Sequence, residues 1–253
     1  MMAKAKRSVE EIARRYLWFV VALFVIALGT SMSIRANLGS SPISCPPYVL
    51  GERPGAWTMG TYVICMHVFF VVAQVVLLRR DFQPIQFLQF GVSLLFGVFT
   101  DVTMWMTHYL QVEGQSVGIY GVRFVELMIG NALLAYGICM EMHCDALLLA
   151  GEGFPLAIAK VMRKDFGSVK ICTDTLLVLF GLAFMLIFFG GWRIDMIGFG
   201  TVFSMFFVGF LVKLFNPHLG WLDRILLGEG DGPWMRMRRA IGRFRNLRFF
   251  GYK

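Results

Sequence analysis

The chain has 253 residues, 57% of them hydrophobic, and its mean hydropathy of +0.67 excludes a water-soluble globular domain. The net charge of +8 sits at the edges of apolar runs rather than within them, so it speaks of membrane orientation and not of nucleic acid. Cys45, Cys65, Cys139, Cys144 and Cys172 show no zinc spacing, and no HExxH, P-loop or GxSxG sequence occurs, so no metal, cofactor or catalytic residue is expected and the chain reads as a non-enzyme.

Crossing a hydrocarbon core of about 30 Å takes about 20 residues. Ser8 and Glu11 read as a capping box that opens a short amphipathic helix over 1–15, leading into a first span at Tyr16–Ile34. A second span follows at Ala56–Leu78. The third, Pro84–Val112, carries Asp101, and the fourth is Val117–Met140. Asp174 lies in the fifth, Ile171–Trp192, where Lys170 at i−4 is its expected partner. The sixth is Ile194–Val212, its Asp195 expected to pair with Arg193 at the membrane boundary. With the N-terminus cytoplasmic, every lysine and arginine except Arg35, Arg53, Arg123 and Arg193 falls on the cytoplasmic side. Both termini are therefore read as cytoplasmic in a multi-pass membrane protein.

Two stretches interrupt this pattern, Ser33–Gly51 and Glu141–Met162. Both are short, polar and punctuated by glycine and proline. Shifting the chain by 108 places Gly29 on Gly137, Arg35 on His143, Asn37 on Asp145, Ser44 on Glu152 and Pro47 on Pro155. A shift of 107 then places Gly60 on Gly167 and Gly91 on Gly198. The expected fold is thus an all-α polytopic membrane protein of six transmembrane helices, arranged as two three-helix repeats (16–112 and 117–215). Three spans per copy is odd, so the copies are inverted.

Each break is long enough to enter and leave the bilayer from one side. Arg35–Ser41, extended, reaches at most about 23 Å, and Pro42–Gly51 as helix climbs back about 15 Å. The second copy runs through Asp145–Gly153 and then Phe154–Lys164. Surface amphipathic helices at the interface are the alternative to this re-entrant path. Half-helices preceded by Ser40-Ser41 and by Gly151-Glu152-Gly153 would present free N–H groups and positive dipole ends, with Glu152 either capping its own helix or meeting a solute. The candidate substrate or ion ligands are Ser40, Ser41, Ser44, Asp101, Glu141, His143, Asp145, Glu152 and Asp174, since ionisable groups inside a bundle are costly and mark pathways.

The tail over 216–253 reads as a basic amphipathic helix. Trp234, Met237, Ile241, Phe244 and Leu247 recur at helical spacing, and Arg236, Arg238, Arg239, Arg243 and Arg245 are candidate contacts for anionic lipid.

The chain resembles the bacterial YczE/YyaS/YitT group of small integral membrane proteins. The resemblance rests on Leu38-Gly39-Ser40-Ser41-Pro42 with Pro47-Tyr48-Val49-Leu50, on Glu141 and Gly151-Glu152-Gly153, and on Phe166-Gly167 leading to Val169-Lys170-Ile171 and Asp174. It covers roughly Tyr16 to Phe215 and implies a bacterial inner-membrane protein with duplicated halves. Members often carry an acid where Ser44 stands, a departure that leaves Glu152 unmatched in the first half. The expected function is a secondary transporter or facilitator for a small polar solute or ion, with proton coupling and a homodimer among the arrangements it allows. A scaffold or sensor acting through partners is the alternative.

Overall fold

The computed structural model describes residues 9–110, 116–164 and 166–227. Among them it is all helical. The long helices are α1 (Val9–Arg35), α3 (Met59–Leu78), α4 (Leu88–Met106), α5 (Val117–Cys144), α7 (Phe166–Phe189) and α8 (Phe199–Phe215). The short ones are α2 (Cys45–Gly51), α6 (Ala150–Met162) and α9 (Gly220–Leu227). Six segments are long and apolar enough to cross a membrane: Val9–Arg35, Met59–Asp81, Pro84–Met106, Val117–Cys144, Ser168–Phe189 and Phe199–Leu226. Their outward faces remain apolar, with Phe69, Val76, Phe180, Ile187, Phe206 and Phe210 exposed. Such a surface suits lipid and not water.

Local chemistry sets the ends. Thr58 caps α3 by accepting the Thr61 N–H, and Ser116 caps α5 by accepting that of Ile119. α1 stops just before Asn37 at φ 52° and α5 just before Asp145 at φ 46°. Asn and Asp tolerate this left-handed geometry better than other side chains, so these equivalent positions turn the chain into the two breaks.

α1 and α5 cross at the centre of the bundle. A Cβ on Gly29 would strike the Leu134 and Gly130 backbone, and one on Gly137 would strike Ile26 and Ala22. These two contact sets are the same pair of residues with partners exchanged and numbers shifted by 108. The exchange extends outward. α4 packs on α1 as α8 packs on α5, α2 on α3 as α6 on α7, and α3 on α6 as α7 on α2. Gly153 lies against Gln74 as Cys45 lies against Gly181. The close α3–α4 contact, built on Gly60 and Gly97, has no counterpart of similar extent between α7 and α8 among the described residues.

Several boundaries differ from the sequence-based expectation: the second long helix starts at Met59, the fourth runs on to Cys144, and the fifth covers Phe166–Phe189. The sixth helix begins at Phe199 because the Gly190–Gly198 segment turns, with Gly190 at φ 67° and the Trp192 indole donating to the Ile197 carbonyl at 2.7 Å. The third ends at Met106, where a short 3-10 turn at His108–Leu110 follows. After α8, Asn216–Leu219 and α9 continue the last span, so the region expected to begin the tail is packed. Leu219, Leu222 and Leu226 are buried against Ala22, Cys139 and Met140. The arginines expected at lipid, Arg236, Arg238, Arg239, Arg243 and Arg245, lie outside the described residues.

Candidate functional site

Both broken segments lie inside the bundle. In the first, Ser41 is extended, Pro42 opens a short 3-10 turn, and α2 follows from Cys45. Its irregular backbone is answered by the α7–α8 connection: Ser40 N–H donates to Met196 O at 3.0 Å, and Gly200 N–H donates to Leu38 O at 2.7 Å. Gly39, at φ 113°, permits this approach, since a Cβ there would meet Gly198 N at 2.7 Å and Thr201 Oγ1 at 2.6 Å. Ser40, Ser41 and Ser44 are all buried. Ser41 and Ser44 share a hydroxyl hydrogen bond of 2.9 Å, and the Ser40 hydroxyl lies 3.2 Å from Met196 O and 3.3 Å from Cys45 Sγ. Cys45 Sγ in turn leans on the Ser41 carbonyl at 3.4 Å.

The second break differs in one respect from the expectation. Its helix starts at Ala150, so Gly151, Glu152 and Gly153 form its first turn instead of preceding it. These glycines are there for contact. Gly151 packs on the Ile43 side chain, and a Cβ at Gly153 would sit 2.9 Å from Gln74 Oε1. Ile43 and Gly151 are themselves equivalent under the 108-residue shift, so the two broken segments meet at matched residues. They do so beside His67, halfway along α3, whose Nε2 lies 3.6 Å from where a Gly151 Cβ would be.

Several polar side chains lie on the elements that pack here. Glu141, 2% exposed, accepts the Leu149 N–H at 2.6 Å and so answers a donor at the α6 start. Glu152, in the first turn of α6, pairs with Lys170 of α7 at 3.3 Å. Lys170 also lies 3.0 Å from Asp174 Oδ1, the i, i+4 pair read from the sequence. Lys170 therefore bridges the Glu152 and Asp174 carboxylates. On the α3–α4 side, Gln74 Nε2 donates to Gln89 Oε1 at 3.1 Å, leaving Gln74 Oε1 buried without a partner. His67 stacks on Phe96 at 5.4 Å, and its Nδ1 is also buried and unpartnered.

The remaining candidates are placed elsewhere. Asp101 accepts Gly60 N–H and the Thr58 hydroxyl, both at 2.7 Å, and so fastens α4 to the start of α3, about two helical turns from His67. Asp145 is exposed at the end of α5. His143 faces the C-terminal segment, its Nδ1 3.0 Å from Asp223 Oδ1 and its Nε2 3.2 Å from Asn216 O. Arg35, which the 108-residue shift places on His143, donates to Met104 O at 2.8 Å. Both residues therefore tie the entrance of a break to the far end of the last helix in the same half. The Arg193–Asp195 pair forms at 2.7 Å. Sequence reading missed Gln74 and Gln89 altogether and gave His67 little weight. Only the rarity of glutamine in such apolar runs signals them.

Among the curated proteins, the chain is similar to the "Uncharacterized protein YyaS" of Bacillus subtilis (strain 168). The two are 22% identical over 206 residues, covering 80% of this chain and 92% of that protein. No solved structure matches. The family described as "Family of unknown function (DUF6198)" matches residues 13–217, which takes in both breaks, every long helix and the whole polar junction, and the chain belongs to that family.

Proposed function

We propose that the protein is a secondary transporter or facilitator for a small polar solute, built from two inverted repeats whose re-entrant segments meet at the solute site. The observation that carries this reading is the contact of Ile43 with Gly151 beside His67, at the start of a helix that also meets Gln74, Glu141 and, through Glu152, the Lys170–Asp174 pair. Inverted repeats that place broken helices at mid-membrane form the sites of known carrier folds. The exchanged contacts at Gly29 and Gly137, and at Gly153 and Cys45, support the repeat. Burial of both short helices supports re-entry over an interfacial position. A charged triad is costly in hydrocarbon, and its retention is easiest to explain by use.

The lysine and arginine distribution favours cytoplasmic termini, the family resemblance favours the inner membrane, and the tail arginines are the proposed contacts for anionic lipid. Purified protein in proteoliposomes is expected to move a small polar solute, with flux lost in Glu152→Gln while the variant stays folded and monodisperse. Flux unchanged in Glu152→Gln would refute the site, and no flux across a broad panel of solutes would refute transport.

A further inference from the structure

The charge and hydrogen-bonding capacity of the junction define the kind of solute it fits. A helix N-terminus invites an anion, but that of α6 is already answered. Glu141 takes the Leu149 N–H at 2.6 Å, and Glu152 stands in the first turn. Two carboxyl groups, Glu152 and Asp174, then share one ammonium, that of Lys170. One buried oxygen on the α3 side of α6, Gln74 Oε1, has no hydrogen-bond donor. Buried acceptors without donors are expensive, and a ligand that brings donors recovers that cost. We infer that the junction takes a small organic cation with N–H donors, an ammonium or amidinium group, and that Lys170 is its tethered stand-in, holding the Glu152 and Asp174 carboxylates until the solute displaces it. The inference rests on the solute-site reading above and narrows it.

The experiment uses the purified full-length protein. Its thermal unfolding is followed in methylammonium, guanidinium, tetramethylammonium and sodium acetate solutions of matched ionic strength. Methylammonium and guanidinium are expected to raise the unfolding temperature. Tetramethylammonium, with the same charge and no N–H, and acetate are not. Lys170→Met removes the competitor, so the concentration needed for half the effect falls roughly tenfold if the tether fills the site nine-tenths of the time. Lys170→Gln provides the same comparison if the methionine variant does not fold. Asp174→Asn abolishes the response.

Equal stabilisation by tetramethylammonium or acetate would overturn the inference. So would no response to any N–H cation, or a lysine variant that needs more ligand instead of less. Stabilisation without flux would leave this inference standing and refute transport. Flux of an anion that ignores Asp174→Asn would do the reverse.

Discussion

Replacing Gly29 by alanine tests the central helix crossing at the scale of one methyl group. The new Cβ would land on the backbone nitrogen of Leu134, 2.7 Å from Gly130 O and 2.9 Å from Leu134 Cα. All three are backbone atoms, so no rotamer change relieves them. Ordinary contact at 3.4–4 Å requires α1 and α5 to separate by up to about 1 Å at this point. Overpacking of this kind costs about 1–3 kcal/mol, and backbone obstruction belongs at the upper end. Alanine recovers about 0.5–1 kcal/mol of helix propensity, leaving a net loss of about 2 kcal/mol. At about 2–4 °C per kcal/mol for a chain of this size, the unfolding temperature falls by about 4–8 °C.

The assay is thermal unfolding in detergent, with Gly209→Ala as control, because nothing lies within 4 Å of a Cβ there. Gly137→Ala should fall between the two, since its nearest neighbour at 2.7 Å is the Ile26 side chain, which can yield, and its closest backbone atom, Ile26 N, is 2.9 Å away, less obstructing than Leu134 N is at Gly29. A Gly29→Ala protein as stable as Gly209→Ala would refute the crossing and, with it, the exchanged contacts on which the repeat rests.

Asp101→Ala removes the acceptor for Gly60 N–H and the Thr58 hydroxyl, and is expected to cost about 2 kcal/mol in thermal stability through two charge-assisted hydrogen bonds. It should leave solute selectivity unchanged; an altered selectivity would return Asp101 to the site. Arg35→Ala and His143→Ala each free the far end of one half by removing bonds to Met104 O or to Asn216 and Asp223. Proteolysis in the native membrane should become faster near residue 108 in the first and near residue 220 in the second, and the opposite pattern would break their equivalence. Cys65 and Cys172 are exposed while Cys45, Cys139 and Cys144 are buried, so a membrane-permeant thiol reagent should modify the first two before unfolding and the others only after it.

Much of this architecture is legible in the sequence because lipid imposes simple rules. Twenty apolar residues make a span, and Asn37, Pro42 and Asp145 mark where helices must stop or begin. The Lys170–Asp174 pair followed from helical spacing, and its 3.0 Å contact matches that expectation. Glu152 was legible as a residue but not as a partner of Lys170, because that contact joins α6 to α7 and no local period records it. His67, Gln74 and Gln89 stayed hidden for the same reason. Each sits singly in an apolar run, and its role depends on which helix it meets. Gly151 and Gly153 were read as a chain break. Glycine in a helix and glycine in a turn look alike until the Ile43 and Gln74 side chains are seen to press against them.

The most direct measurement joins the two broken segments by chemistry. In a background with the five native cysteines replaced by alanine, Ile43→Cys and Gly151→Cys are introduced together and exposed to a short thiol cross-linker in native membranes. A protease site placed between the halves, within 111–115, lets the cross-link be read as retention of full-length chain after cleavage. Contact of Ile43 with Gly151 predicts rapid cross-linking of this pair and none for Ile43→Cys with Gly209→Cys. Failure to cross-link, with both cysteines instead open to a membrane-impermeant reagent, would place the segments at the membrane surface and contradict a site between them.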